Sequence, residues 1–195
     1  MRILVTGTPG TGKTTISLAL SKKLGVPYIN LNELILASGQ VSWNQLSNTF
    51  DVLDPEKVSA MLNEEVRKRS GCVCETLAIE LLDSSIIDKV VILRRDPYLL
   101  WNELQKRGWP LSKVASNVLS ELLNVISYAA RDLFDGKVIE VDTSKSSPDE
   151  CIDTIIRALN GEAIDNEIDW LSRLDNDKLM DFIQTLEEME GRINL

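Results

Sequence analysis

Gly7-Thr8-Pro9-Gly10-Thr11-Gly12-Lys13-Thr14 stands between a short apolar run, Arg2–Thr6, and a segment, Lys13–Leu24, in which Ile16, Leu20 and Leu24 recur at helical spacing. Strand, glycine-rich turn and helix in that order form the setting in which this eight-residue pattern cradles phosphate. Gly10 and Gly12 let backbone amides turn toward an anion with no side chain in the way, and the helix N-terminus adds unpaired amides and a favourable dipole. Lys13 brings a point charge for terminal phosphates, and Thr14 brings a hydroxyl for magnesium. The pattern predicts a purine nucleoside triphosphate bound together with Mg2+.

Outward from the loop, strands alternate with helices. Residues 26–29 read as a second strand, followed by a short helix with Leu31, Leu34 and Ile35 on one side. Residues 37–54 hold Ser, Gly, Asn, Gln and Asp with little periodicity, which predicts an irregular segment. Asp54 before Pro55 has the form of a cap and first-turn proline for a helix to Arg69, with Val58, Leu62 and Val66 inward. Residues 72–76 and 88–93 read as a third and a fourth strand. The unbroken Val90-Val91-Ile92-Leu93 fits a strand covered on both faces. Asp96-Pro97 repeats the cap signature for a helix to Lys106, which Gly108 and Pro110 break. A long helix from Ser112 then carries Ala115, Val118, Leu119, Leu122, Ile126, Ala129 and Leu133. Residues 137–141 form a fifth strand, and Ser147, Pro148 and Glu150 start a helix through Leu159. This order predicts a three-layer α/β domain over residues 1–161, with a five-stranded parallel sheet and helices on both faces. Ligands of such sheets gather at the carboxyl ends of the strands, where the loop lies.

Residues 162–195 differ in character. They hold ten carboxylates against Arg173, Lys178 and Arg192, and so carry most of the net charge of −9. Ile164, Ile168 and Leu171 mark one short amphipathic helix; Leu179, Phe182, Ile183, Leu186 and Met189 mark another. We read this stretch as an acidic helical C-terminal extension whose apolar stripes pack on the domain rather than on a partner. The acidity disfavours nonspecific or sequence-specific binding of nucleic acid and admits a basic protein partner.

Composition sets the remaining bounds. With 195 residues, 44% of them hydrophobic, the chain can bury a core. No apolar run approaches the roughly 20 residues that span a bilayer, so no membrane association is expected and a cytoplasmic location is. Cys72, Cys74 and Cys151 are too few for a disulfide framework and read as core packing, and a chain without histidine lacks the usual zinc donors.

Several side chains outside the loop are placed for chemistry. Glu75 ends the third strand, where it meets the metal through water or caps the next turn. Lys106, Arg107 and Lys113 flank the Gly108-Trp109-Pro110 break, a hinged basic segment able to close over transferring phosphates. Arg94 and Arg95 stand beyond the fourth strand, facing either phosphate or carboxylates. Trp109 and Trp43 serve either as stacking surfaces or as cover for their own segments.

Taken together, the loop with Thr15, Tyr28-Ile29-Asn30, Leu93-Arg94-Arg95-Asp96, Lys106-Arg107-Gly108-Trp109, and Asn117 with Glu121 resemble the adenylate kinase isoenzyme six family and its archaeal relatives, over about residues 2–160. The resemblance implies a P-loop nucleoside-kinase-like fold and transfer of a phosphoryl group from ATP to AMP or another nucleoside monophosphate. It also implies side activity as an ATPase and a role in maturation of the small ribosomal subunit and its 16S rRNA, through ribosomal protein uS11. On this chain it assigns ATP contacts to Gly10, Gly12, Lys13, Thr14, Thr15 and Arg107; the chemistry of the residues themselves gives the metal to Thr14 and Glu75, and catalysis to Lys13, Arg107 and Glu75. The monophosphate region falls at about residues 30–53 and a short lid at about 106–116. Two departures stand out. The family has a histidine shortly after the acid that ends the third strand, where this chain has Glu75-Thr76-Leu77. Residues 24–56 also contain no lysine or arginine to meet an acceptor dianion.

Overall fold

The computed structural model describes residues 1–45, 48–164 and 167–191, with the backbone alone at 176 and 177. Positions 46 and 47 of the expected acceptor region, and 165, 166 and 192–195 of the extension, lie outside the described residues. In chain order the elements are β1 (Arg2–Thr6), α1 (Lys13–Leu24), β2 (Tyr28–Asn30), α2 (Leu31–Ala37), β3 (Val41–Asn44), β4 (Thr49–Val52), α3 (Pro55–Arg67) and β5 (Cys72–Glu75). They continue with β6 (Lys89–Arg94), α4 (Pro97–Gln105), α5 (Leu111–Leu122), α6 (Val125–Leu133), β7 (Val138–Asp142), α7 (Pro148–Leu159), α8 (Trp170–Arg173) and α9 (Asn176–Gly191).

The main sheet is parallel, in the order β2-β5-β1-β6-β7. Alternate side chains of its strands feed two cores. Leu4, Cys72, Cys74, Val90 and Ile92 meet α2, α3 and α6 on one face. Ile3, Val5, Val73, Val91, Leu93, Ile139 and Val141 meet α1 and α7 on the other. Burial on both faces explains why these strands read as unbroken apolar runs. The chain leaves β1 toward β2 on one side and later fills β6 and β7 on the other, which makes the carboxyl end of β1 a switch point. Register sets Glu75 beside Val5 and Asn30 beside Glu75, at the level where β1 turns into the loop.

Three expectations need correction. Within residues 37–54, expected to be mobile or irregular, β3 and β4 pair antiparallel, with Val41 opposite Val52 and Trp43 opposite Phe50. The two rings meet edge to face at 5.0 Å while both remain about half exposed. Strands of four residues show too few alternations to stand out from turn-forming neighbours. The helix expected from Ser112 to Leu133 is two helices, because Asn124 adopts φ 58 between them. Asparagine tolerates that left-handed conformation, and here the Arg94 guanidinium donates to the Asn124 Oδ1 and to the Glu121 carbonyl, capping the end of α5. The break shifts the inward face, so that Ser127 and Ala130 are buried in α6 while Leu133 is exposed. In the extension, where a helix from Ile164 was expected, Trp170–Arg173 is the helical part among the described residues, and Ile164 packs on the α1/α7 core.

The extension is covered by the rest of the chain. Ile168, Trp170 and Leu179 bury with Leu122, and Leu186 buries among Leu100, Leu104, Val114 and Val118 of α4 and α5. Truncating a fully buried leucine such as Leu186 to alanine costs roughly 2–5 kcal/mol by lost transfer energy plus the cavity.

Arg94 is the largest side chain wholly inside, with 1% of its surface exposed. Its Nε donates to Glu121 at 2.8 Å and its Nη1 donates to Glu140 at 2.7 Å, both carboxylates being 2% exposed. Replacing it by methionine takes the guanidinium from both carboxylates, leaving Glu121 with neutral donors and Glu140 with Arg131, and urea unfolding of Arg94→Met is expected to lose about 3–5 kcal/mol. Arg67→Ala, which breaks the exposed pair with Asp83, is expected to lose under about 1 kcal/mol; equal losses would contradict this account.

Candidate active site

β1 ends at Thr6, and the loop that follows folds tightly on itself. Thr11 donates from its amide and its hydroxyl to the Thr8 carbonyl, at 3.3 and 2.9 Å. Thr143, beyond β7, donates to the Thr11 carbonyl at 3.1 Å. Gly10 and Gly12 both have φ near +95° (96 and 93), where a side chain is strained. A Cβ on Gly10 would stand 2.8 Å from Leu100 of α4, whereas a Cβ on Gly12 would meet nothing within 4 Å. The first glycine lets the loop lie against α4, and the second faces open space. The bond from the Ile16 amide to the Gly12 carbonyl opens α1, so the amides of Lys13, Thr14 and Thr15 have no helical partner and point to the open side.

Lys13 folds back onto this loop, donating to the Gly7 carbonyl at 2.7 Å and the Thr8 carbonyl at 3.1 Å. Burial lowers its pKa to about 8; Glu75 and Glu121 oppose that shift and Arg107 adds to it. An ammonium held in this way gains from any anion that enters. The Thr14 hydroxyl donates to Glu75 Oε1 at 2.8 Å. Glu75 does not cap the following turn: it is 2% exposed, and its Oε2 is buried without a hydrogen-bond partner among the described residues. Tyr28, not expected from the sequence as a site residue, brings its buried phenol oxygen beside Glu75, outside hydrogen-bond distance of any partner among the described residues. Burial and then the neighbouring Glu75 push its phenol above the ordinary tyrosine range.

A hydroxyl and a buried carboxylate with a free oxygen form a donor set suited to a hard cation. Among the described residues no three acidic, histidine or cysteine side chains cluster as a metal site. Thr14 and Glu75 therefore fit Mg2+, which keeps water and substrate oxygens in its shell, better than an ion that needs a full protein cage.

The loop, Thr15 and Arg107 line a cleft of about 230 Å³. Arg107 follows α4 on an exposed turn, its guanidinium 5.3 Å from the Trp109 ring centre. The Lys113 ammonium lies 4.6 Å from the same ring and donates to the Asn48 carbonyl, joining segment 106–116 to the β3–β4 hairpin. Trp109 thus sits between two cations and also packs on the α4/α5 core. Lys106 turns away toward Glu103.

The other cations divide sharply. Arg94 is locked in the core, as described. Arg67, Lys68 and Arg69 pair with Asp83, Glu64 and Glu65. Arg95 is only partly exposed; its amide donates to Glu121, and its Nε is buried with no hydrogen-bond partner among the described residues.

The chain is similar to known proteins over most of its length. The family model described as AAA domain matches residues 3–124. A protein of Saccharolobus solfataricus named "Putative adenylate kinase" is 36% identical over 190 residues, covering 97% of this chain and 96% of its own length. A protein of the same name from Pyrobaculum aerophilum is 30% identical over 191 residues, again 97% and 96%. Alignments of that span take in most of the C-terminal extension, so the similarity does not stop near residue 160 as the sequence reading expected. Shikimate kinase from Aquifex aeolicus covers the fold with a TM-score of 0.53 at 17% identity, over 83% of this chain and 97% of that one. Shikimate kinase from Acinetobacter baumannii, solved with shikimate, does so with a TM-score of 0.55 at 14% identity, over 82% and 93%.

The lysine shift has a measurable sign. Below about pH 8 Lys13 is charged in both the folded and the unfolded chain, and burial of that charge weakens the fold by a constant amount. Between about 8 and 10.5 the folded state sheds the proton while the unfolded chain keeps it, so stability rises with pH relative to a variant lacking the group. Unfolding free energies of the unmodified protein and Lys13→Met, compared across that window, are expected to shift in favour of the unmodified protein. A constant difference would contradict the burial of this ammonium.

Proposed function

We propose that this chain, which belongs to the archaeal adenylate kinase family of P-loop proteins, transfers the terminal phosphoryl group of ATP to AMP. The observation that carries the reading is the convergence of Lys13, Thr14 and Arg107 on one cleft, with the buried Glu75 bonded to Thr14 behind it. Loop and first-turn amides bind the triphosphate, and Lys13 leaves the Gly7 and Thr8 carbonyls to meet its terminal oxygens. Thr14 and Glu75 hold Mg2+, which neutralises phosphate charge when bound. Arg107, on its hinged turn, closes on the transferring group and excludes water.

In the transfer, an oxygen of the acceptor phosphate bonds to the terminal phosphorus as the bond to the bridging oxygen breaks, leaving ADP on both sides. Alignment and charge neutralisation carry such a step, with little demand for a strong base. Arg95 supports the acceptor end. It leaves β6 at the carboxyl edge of the sheet with a guanidinium nitrogen that has no hydrogen-bond partner among the described residues, and we assign it, from across β1, the positive charge that residues 24–56 lack.

A second reading, hydrolysis of ATP during small-ribosomal-subunit assembly with ribosomal protein uS11 as partner, draws support from that cation-poor stretch and from the pairing of the α3 cations with carboxylates. Water in place of AMP would then take the phosphoryl group.

Purified protein given ATP, Mg2+ and each monophosphate in turn, with water alone as comparison, is expected to form ADP fastest with AMP. Lys13→Ala is expected to lower turnover by at least about a hundredfold, since one preorganised donor to developing charge is worth that much. Arg95→Met is expected to raise the KM for AMP about tenfold or more while moving that for ATP far less. ADP formation indifferent to every monophosphate would favour hydrolysis, and no nucleotide binding at all would defeat both readings.

A further inference from the structure

Glu121 was noted in the sequence only as part of a family pattern, and the structure gives it a position between two distant parts of the chain. Its side chain is 2% exposed. Oε2 accepts from the Thr8 hydroxyl, inside the phosphate loop, at 2.6 Å. Oε1 accepts from the indole N–H of Trp170, in the C-terminal extension, at 2.9 Å, and also from Arg94 and the Arg95 amide. On the far side of Thr8, its carbonyl is one of the two that hold the Lys13 ammonium. Trp170, Glu121, Thr8 and Lys13 thus form one continuous chain of hydrogen bonds from the extension to the cleft.

The extension is fastened at the same place by its backbone. Arg94 donates to the Ile168 carbonyl at 3.0 Å, and the Ile168 amide donates to Glu140 at 3.3 Å. A second route runs through α9, where Phe182 stacks on Tyr98 at 4.5 Å and meets Trp101 edge-on at 6.1 Å. Both partners belong to α4, the helix whose Leu100 and Leu104 stand behind Gly10.

We propose that residues 168–189 are a working part of the nucleotide site: they hold Glu121, a positioning residue, so that Thr8 keeps the phosphate loop and Lys13 in the geometry that binds triphosphate. A buried carboxylate must keep its donors, and hydrogen bonds to a charged group are about twice as strong as neutral ones. Removing the indole donor lets the carboxylate shift toward its remaining donors and draw Thr8 with it. The coupling is reciprocal, so bound nucleotide holds the extension down by the same factor by which the docked extension tightens nucleotide binding. A basic partner that drew the acidic segment away would loosen nucleotide.

This inference rests on the nucleotide reading of the loop, and the test separates the two. ATP affinity is measured by calorimetry for the unmodified full chain, Trp170→Phe, Thr8→Val and the double variant. Trp170→Phe keeps the buried ring and removes only the donor; it is expected to weaken ATP binding about threefold to tenfold, as one charge-assisted hydrogen bond allows. The double variant is expected to bind no more weakly than the worse single variant, because both cut the same connection. In the unmodified protein, saturating ATP is expected to slow amide hydrogen exchange at residues 168–173, a readout that needs no substitution. Unchanged affinity in Trp170→Phe, multiplying losses in the double variant, or exchange indifferent to ATP would each overturn the coupling while leaving nucleotide binding in place. An unmodified protein that binds no ATP would overturn the nucleotide reading and this inference with it.

Discussion

A guanidinium cut off from water has to be met by carboxylates and carbonyls, and much of this molecule is arranged around that requirement at Arg94. The last residue of β6 extends into the space between the sheet, the α5–α6 junction and the C-terminal segment, where Glu121, Glu140, Ser127, Asn124 and the Ile168 carbonyl receive its protons. Satisfying one cation thereby fixes where α5 stops, why Asn124 takes a left-handed turn, and where the extension crosses the domain. A buried ion network of this kind adds little net stability over an apolar core, because desolvation offsets attraction. What it does add is position: each partner has one place in which every donor and acceptor is satisfied.

Position is what the phosphate loop needs. Its own hydrogen bonds are few and local, and the rest of its support comes from outside: Thr143 below, α4 behind Gly10, and Glu121 at Thr8. The side facing the cleft is left in a state that favours negative charge. Lys13 is partly stripped of water with its pKa lowered to about 8, and the first-turn amides of α1 lack partners. Beside them one oxygen of Glu75 is buried without a donor among the described residues. Each of these features costs the unliganded fold something, and each is repaid when a charged ligand and its counterion arrive together.

The opposite rim is more exposed. Arg107 lies on the exposed turn between α4 and α5, braced by Trp109, and Lys113 joins that segment to the hairpin at the Asn48 carbonyl. The β3–β4 hairpin presents Trp43 and Phe50 about half exposed, held by one antiparallel pairing. The hairpin packs on the core through Val41 and Val52 and leaves its two aromatic rings outside, so this side is more open than the floor beneath the loop, and a cover that can move over a floor that cannot is what the proposed transfer would need. The chemistry of phosphoryl transfer asks for that division, since charge must be fixed in place while solvent is shut out.

What the sequence determined by itself is local. Apolar runs gave the strands, proline and acid pairs gave helix starts at Asp54, Asp96 and Ser147, and the glycine spacing with Lys13 and Thr14 gave the loop, because each is written within a few neighbouring residues. Only the tertiary structure decided the rest. The register beside Val5 put Glu75 under Thr14 and brought Tyr28 near it, and the end of β6 sent Arg94 into the core while Arg95 stayed at the rim. Glu121 became the joint between Thr8 and Trp170, residues far apart in the chain. Such choices turn on which buried charge finds which partner, an energy that exists only after distant segments have excluded water between them.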